Sequence, residues 1–270
     1  MKHELQAFLD RAIAKLSPDE RILGVAVAGS WITQTTDDYS DLDLVIVFDD
    51  IFYSQALKER YSFAEKLGDI LSVFPGDHVG EPQKLLICLY DSPLLHVDLK
   101  FISLSDLEQR IENPVVAWER NGALTQKMSE STSQHPMPRL QWIEDRFWVW
   151  IHYAAAKLGR GELFEVIDFL SFLRSQVLGP LSSVKHNELP RGSRKLETLA
   201  PNDLEDLQKT VASYDRQSCV DAIYASIKLY RKLRLQIAGS KLVKLEDAEK
   251  AAVKYLDMIA GKNEYIGHRH

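Results

Sequence analysis

The chain has 270 residues, 33 Lys and Arg against 39 Asp and Glu, and a formal charge of -6. With 45% hydrophobic and 27% charged residues it has the composition of an ordinary globular protein rather than a disordered or fibrous one, and its length suits two domains or one large one. The mild acidity argues against a duplex or long RNA partner, which needs clustered Lys and Arg.

The first residues, MKHELQAFLDRAIAKL, carry charges throughout and show no signal peptide. Leu5, Phe8, Leu9, Ala12, Ile13 and Leu16 recur at helical spacing and predict an amphipathic helix over 3–16. The β-branched run Ile22–Ala28 reads as a buried strand that stops at Gly29-Ser30. After the polar stretch TQTTDDYSD, a second strand is expected at Leu42–Phe48 and a helix around Tyr53–Leu67. Further apolar runs, Ile70–Phe74, Leu85–Tyr90 and Leu94–Ile102, are separated by Pro75-Gly76 and Asp91-Ser92-Pro93. Residues 20–102 therefore predict a sheet of about five strands, with 42–48 and 94–102 as its central members.

From about 125 to 138 the chain turns polar, TQKMSESTSQHPMP, and a linker is expected there. Helices are then predicted over 139–159, 162–178, 202–213, 215–237 and 245–259, punctuated by Gly159-Arg160-Gly161, Gly179-Pro180 and Gly239. The organisation reads as a domain at 1–125, a linker at 126–138 and a helical domain at 139–270. No apolar run approaches the roughly 20 residues needed to span a bilayer. Two cysteines, Cys88 and Cys219, support neither a disulfide framework nor a zinc site, which fits a reducing cytoplasm.

The chemistry-bearing segment is VAVAGSWITQTTDDYSDLDLVIVF. A strand ends in Gly29-Ser30, and ten residues later Asp41-Leu42-Asp43 opens another. Alternation along a strand puts Asp41 and Asp43 on one face. Two carboxylates this close repel each other unless a cation lies between them, and hard oxygen donors suit Mg²⁺. Gly29 permits close backbone approach, and Ser30 offers a hydroxyl and an N–H to a phosphate. In LLHVDLKFI the same alternation puts His96, Asp98 and Lys100 together. If that strand lies beside 42–48, Asp98 completes a three-carboxylate site suited to two divalent ions and displacement at phosphorus. The alternative is an outer strand with one solvated face.

These residues resemble the signature of the nucleotidyltransferase superfamily related to DNA polymerase β: hydrophobic-Gly-Gly/Ser, a gap of about ten, Asp-hydrophobic-Asp-hydrophobic, then an acid on a later strand. The stretch EDRFWVWIHYAAAKLGRGELFEVIDFLSFLRSQVLGPL is similar to the helical domain of aminoglycoside 6-adenylyltransferases of the streptomycin-modifying type. The matching positions are Phe147-Trp148, Tyr153, Arg160, Glu162, Ile167-Asp168 and Arg174. The family's lysine falls one residue nearer its tyrosine than Lys157 does here.

The resemblance implies an α+β protein, with a small mixed sheet flanked by helices in an N-terminal nucleotidyltransferase domain and an all-α C-terminal bundle. It implies two Mg²⁺ ions held by Asp41, Asp43 and Asp98, with ATP or another nucleoside triphosphate as co-substrate, its β/γ-phosphates held by Gly29 and Ser30. Lys100 is a candidate phosphate partner or, alternatively, a solvated surface lysine. A small-molecule hydroxyl, on an aminoglycoside, would accept the nucleoside monophosphate, with Asp168 of the helical half as a candidate general base. Glu162, Glu165 and Asp168 could equally form a solvated face paired with Arg160 and Arg174. Relatives are monomers or homodimers. Another acceptor (a lincosamide, a metabolite or a protein), or a non-catalytic nucleotide-binding protein, remain as alternatives on the same scaffold.

Overall fold

The structure is a computed structural model, and it describes residues 2–237 and 242–261. The chain divides into two compact units, Met1–His135 and Pro136–His270.

The first unit opens with α1 (Lys2–Leu16), which buries Leu5, Phe8, Leu9, Ala12 and Leu16 along one stripe. Strand β1 (Ile22–Val27) leads into a single 3₁₀ turn at Gly29–Trp31. Strand β2 (Leu42–Phe48) runs into α2 (Asp50–Leu67), whose start is capped by the Asp49 carboxylate accepting from the Ile51 N–H at 3.0 Å. Strands β3 (Ile70–Gly76), β4 (Glu81–Tyr90), β5 (Leu95–Ser103) and β6 (Val115–Glu119) follow, then α3 (Ala123–Ser129).

The six strands form one mixed sheet in the order β3-β4-β5-β2-β1-β6. Strands β2 and β5 are central and parallel, while their neighbours pair antiparallel. Alternation divides the sheet's two faces cleanly. Leu42, Leu44, Ile46 and Phe48, with Val97, Leu99 and Phe101, pack against the apolar stripes of α1 and α2. On the opposite face Ala26, Val45, Val47 and Ile102 meet Leu107 and Leu124 in a smaller core. That smaller core stops short of the start of β2, and there the face carries Asp43 and Asp98 instead of apolar side chains.

Residues 20–102 supply the five expected strands, and a sixth, the edge strand β6 beyond them, is defined by its pairing with β1. Two expectations are corrected here. Strand β4 begins at Glu81, four residues before its apolar run. The first part of the expected linker is α3, which packs Leu124 into the smaller core.

In the second unit no strand occurs among the described residues. Helix α4 (Leu140–Gly159) and α5 (Leu163–Leu173) are followed by a π-helical turn at Arg174–Leu178 that runs directly into α6 (Gly179–Lys185). Gly179-Pro180 therefore does not end the helix, because Pro180 sits in the first turn of α6, where its missing N–H costs nothing. Gly179 is required by its neighbours: a Cβ there would lie 2.4 Å from the Gly192 carbonyl oxygen and 2.8 Å from that of Arg174. Short helices α7 (Leu196–Leu199) and α8 (Leu204–Gln208) precede the long α9 (Arg216–Ile237) and α10 (Glu246–Ile259). The expected break at Gly239 lies outside the described residues. Phe147, Trp148, Ile151, Tyr230 and Leu233 form the centre of the bundle, with the Phe147 and Tyr230 rings stacked at 3.8 Å.

Candidate active site

Strand β2 starts immediately after Asp41, and β5 pairs with it in parallel so that Leu42 faces Val97 and Asp43 faces Asp98. Side chains of register partners in a parallel pair share a face, with backbones about 4.8 Å apart. The in-register pairing therefore puts the Asp43 and Asp98 carboxylates beside each other on the face that lacks α1 and α2. The flanking Leu42 and Val97 side chains point into the helix-covered core, which locks the register: a slip of one residue would turn the slipped strand's acid into that core.

Gly29 completes the corner. It follows β1, whose partner strand is anchored by the Ala28 N–H donating to the Asp43 carbonyl at 2.9 Å. Its φ is +63°, and a Cβ built on it would lie 2.0 Å from Asp43 Oδ2. Only glycine lets the backbone come this close to the carboxylate. The loop after Gly29 folds back on itself, since the Ser30 carbonyl accepts from the Thr35 N–H at 3.0 Å and the Ser30 and Thr36 hydroxyls are 3.3 Å apart. Asp37 Oδ1 then accepts from the Tyr39 N–H and the Ser40 hydroxyl, each at 2.9 Å, closing the turn that leads into Asp41.

His96 and Lys100 lie on the Asp98 face, as alternation predicts. His96 Nε2 is 3.0 Å from Asp98 Oδ1. Lys100 Nζ donates to Glu81 Oε1 at 2.7 Å, so its charge is already matched within the protein. Glu81 was not among the residues expected from sequence; its polar neighbours Gln83 and Lys84 obscure the start of β4. Among the described residues no group of three His, Cys, Asp or Glu side chains gathers into a ready-made metal cage.

The remaining candidate, Asp168, lies exposed on α5 in the second unit. Its helix neighbours are engaged. Lys157 Nζ donates to Glu162 Oε2 at 2.7 Å and lies 3.5 Å from Glu165, and the Tyr153 hydroxyl donates to Glu165. That hydrogen bond, reinforced by Lys157, holds the Glu165 carboxyl below its ordinary pKa. Arg160 pairs with Glu162 at 3.7 Å, whereas Arg174 turns inward and donates to the Thr210 carbonyl at 2.6 Å. Burial lowers the pKa of that guanidinium. Both cysteines are free and buried, and burial pushes the Cys88 thiol up to about 12, which removes it from nucleophilic chemistry near neutral pH.

A mixed sheet with two helices on one face, paired acids on the other, and a separate helical unit is the α+β nucleotidyltransferase fold. Residues 1–259 match the family model described as streptomycin adenylyltransferase, and the chain belongs to that family of adenylyltransferase enzymes. No curated protein matches the sequence. Among solved structures, the chain is similar to an aminoglycoside 6-adenyltransferase from Bacillus subtilis, at 17% identity and a TM-score of 0.40, over 95% of this chain and 98% of that one. It is also similar to a nucleotidyltransferase-like protein from Exiguobacterium sibiricum, at 13% identity and a TM-score of 0.41, over 97% of this chain and 81% of that one. No described helix is long and apolar enough to cross a membrane.

Proposed function

We propose that this enzyme transfers AMP from ATP to a hydroxyl of an aminoglycoside and releases pyrophosphate. The observation that carries the reading is the in-register Asp43–Asp98 pair with Gly29 closed against the Asp43 carboxylate. The donor set fits Mg²⁺: it is made of oxygen, it carries negative charge, and two of its acids are cross-strand neighbours. Asp41, Asp43 and Asp98 would hold two such ions. Bound Mg²⁺ supplies charge neutralisation at the phosphate oxygens and lowers the pKa of a nearby hydroxyl.

The chain's own groups do the rest. The Gly29-Ser30 backbone and the Ser30 hydroxyl bind the β- and γ-phosphates and hold the leaving group at the β1 end of the site. The acceptor oxygen forms a bond to the α-phosphorus as the bond from that phosphorus to the bridging oxygen breaks. Pyrophosphate departs, and the hydroxyl proton passes to a carboxylate of the enzyme.

The test is transfer of label from α-labelled ATP to a panel of aminoglycosides and lincosamides, with each of the four nucleoside triphosphates in turn. The expected result is Mg²⁺-dependent labelling of an aminoglycoside, strongest with ATP. Asp43→Asn should reduce turnover by roughly a thousandfold or more while the circular dichroism spectrum is preserved, in line with the several kcal/mol expected of metal-assisted charge stabilisation. Undiminished transfer by that variant would overturn the assignment of the acids.

A further inference from the structure

Strand β5 carries three polar side chains on the open face of the sheet, His96, Asp98 and Lys100, and the reaction proposed above uses only Asp98. Lys100, two residues beyond Asp98, donates to Glu81 Oε1 of β4 at 2.7 Å. His96, two residues before it, has its Nε2 3.0 Å from Asp98 Oδ1. The two groups that flank Asp98 along its own strand are thus committed differently: the lysine to β4, the histidine to Asp98 itself.

An ionised carboxylate only accepts, so His96 Nε2 carries the proton, which the neutral Nε2–H ring and the imidazolium both supply. A protonated ring nitrogen has no lone pair for a metal ion, so through this atom His96 acts on a cation only by way of Asp98. The His96 side chain is 51% exposed and that of Asp98 23%, so water can satisfy either group and the fold does not require the bond. What the bond does is fix Asp98. Asp98 stands in register with Asp43, and like charges on neighbouring strands drive the two carboxylates apart when no cation lies between them. An aspartate tied at one oxygen loses most of that freedom. The tie runs toward the start of β5, the end of the parallel pair at which Asp41 precedes β2.

With no closed metal cage among the described residues to impose geometry on an ion, the orientation of each acid depends on its own neighbours. Hydrogen-bond partners of ligating carboxylates commonly carry about 10–100-fold of metal affinity or activity. We infer that His96 is a positioning residue for the metal site: its Nε2–H holds the Asp98 carboxylate in the orientation that, with Asp43, receives the cation. The inference rests on the transfer reaction proposed above.

The test uses the full chain, with Mn²⁺ as a paramagnetic stand-in for Mg²⁺, titrated alone and with a non-hydrolysable ATP analogue and read by electron paramagnetic resonance. His96→Ala should raise the Mn²⁺ Kd by about tenfold or more, whereas His96→Gln, whose amide N–H can reach the same oxygen, should stay within about threefold of the wild type. Asp43→Asn is the control for the site and should lose Mn²⁺ binding. In label transfer, His96→Ala should raise the Mg²⁺ concentration for half-maximal rate by the same factor, and excess Mg²⁺ should recover most of the lost rate. An unchanged Mn²⁺ Kd in His96→Ala overturns the inference. A lowered one overturns it too, because the imidazole would then be competing with the ion. Equal losses in His96→Ala and His96→Gln do the same, since the hydrogen bond would not be their cause. Label transfer with unaltered Mg²⁺ dependence in His96→Ala sinks the role of His96 and keeps the reaction. His96-dependent Mn²⁺ binding without any labelled product keeps the role and sinks the reaction. Undiminished Mn²⁺ binding by Asp43→Asn sinks the metal assignment, and the inference with it.

Discussion

Each unit centres on a carboxylate that the fold takes trouble to position, and the two are treated in opposite ways. In the second unit Glu144 is fully buried and saturated with donors: Tyr230 Oη at 2.6 Å, Arg234 Nη1 at 2.8 Å, the Leu245 N–H at 3.0 Å and Trp148 Nε1 at 3.2 Å. Burial opposes its ionisation, yet the bonds from Tyr230, Leu245, Arg234 and Trp148 together hold its pKa below the ordinary value. Arg234 also donates to Glu249 at 2.9 Å, so the network ties α4, α9 and α10 together. In the first unit Asp43 and Asp98 sit side by side on neighbouring strands, only partly buried, with a glycine pressed against one of them. Glu144 is charge matched by the protein and holds helices in register. Asp43 and Asp98 are like charges set together, an arrangement that adds nothing to folding and suits a cation.

The contrast predicts a clean separation of effects. Gly29→Ala should be the most damaging to activity after loss of Asp43 itself. Its Cβ would displace the Asp43 carboxylate, and a misplacement of about 1 Å in such a site costs roughly a hundredfold in turnover. Circular dichroism and a thermal melt should show a folded protein. A Gly29→Ala enzyme with wild-type kcat/KM would remove the reason for the glycine.

Glu144→Ala should do the reverse. Removing the carboxylate leaves Arg234 compensated by Glu249 alone and takes the acceptor from Tyr230, Trp148 and the Leu245 N–H, at a cost of about 3–5 kcal/mol in urea denaturation. If the second unit unfolds at the same urea concentration as in the wild type, the network is not structural.

Acid pH tests the same network without changing its shape. Because the folded pKa of Glu144 is depressed, its contribution to stability is present above the unfolded carboxyl pKa and is lost as pH falls through the folded value. Asp203, buried beside Lys185 and Lys232, is depressed as well and adds a loss of the same sign. Stability should therefore decline as the solution is acidified below about pH 4.5, and Glu144→Gln should flatten part of that decline. An unchanged slope in the variant would argue that Glu144 is not the titrating group.

Gly179→Ala forces a Cβ into two backbone carbonyls and should cost about 1–3 kcal/mol, again read by denaturation. At the small end, Glu162→Gln and Glu165→Gln remove partly exposed ion pairs with Lys157 and should move the unfolding midpoint little. Together they should weaken binding of a cationic acceptor and leave ATP binding alone. Equal effects on both substrates would make them ordinary surface acids.

Much of this was legible in the chain itself. Period-two alternation places Asp43 opposite Leu42 and Leu44, and puts His96, Asp98 and Lys100 on one face, because side-chain direction along a strand is a local property. The apolar stripe of α1 and the run of β2 follow from the same local rules. Other features are not written locally. Strand β6 exists because β1 offers it an edge, and its five residues carry no pattern that demands a strand. The Gly179-Pro180 pair reads as a stop, but a π turn and the Gly192 carbonyl make it a close-packed continuation of a helix.

The sequence by itself determined which acids could act and which face of each strand they occupy, since those follow from residue type and backbone periodicity. Only the tertiary structure decided that β2 and β5 are parallel neighbours in a register that pairs Asp43 with Asp98. It alone placed Glu81 against Lys100, and it alone made Glu144 rather than a more exposed acid the keystone of the helical unit. Pairings between residues 55 or 86 positions apart depend on which apolar faces bury one another, and burial is a property of the whole fold.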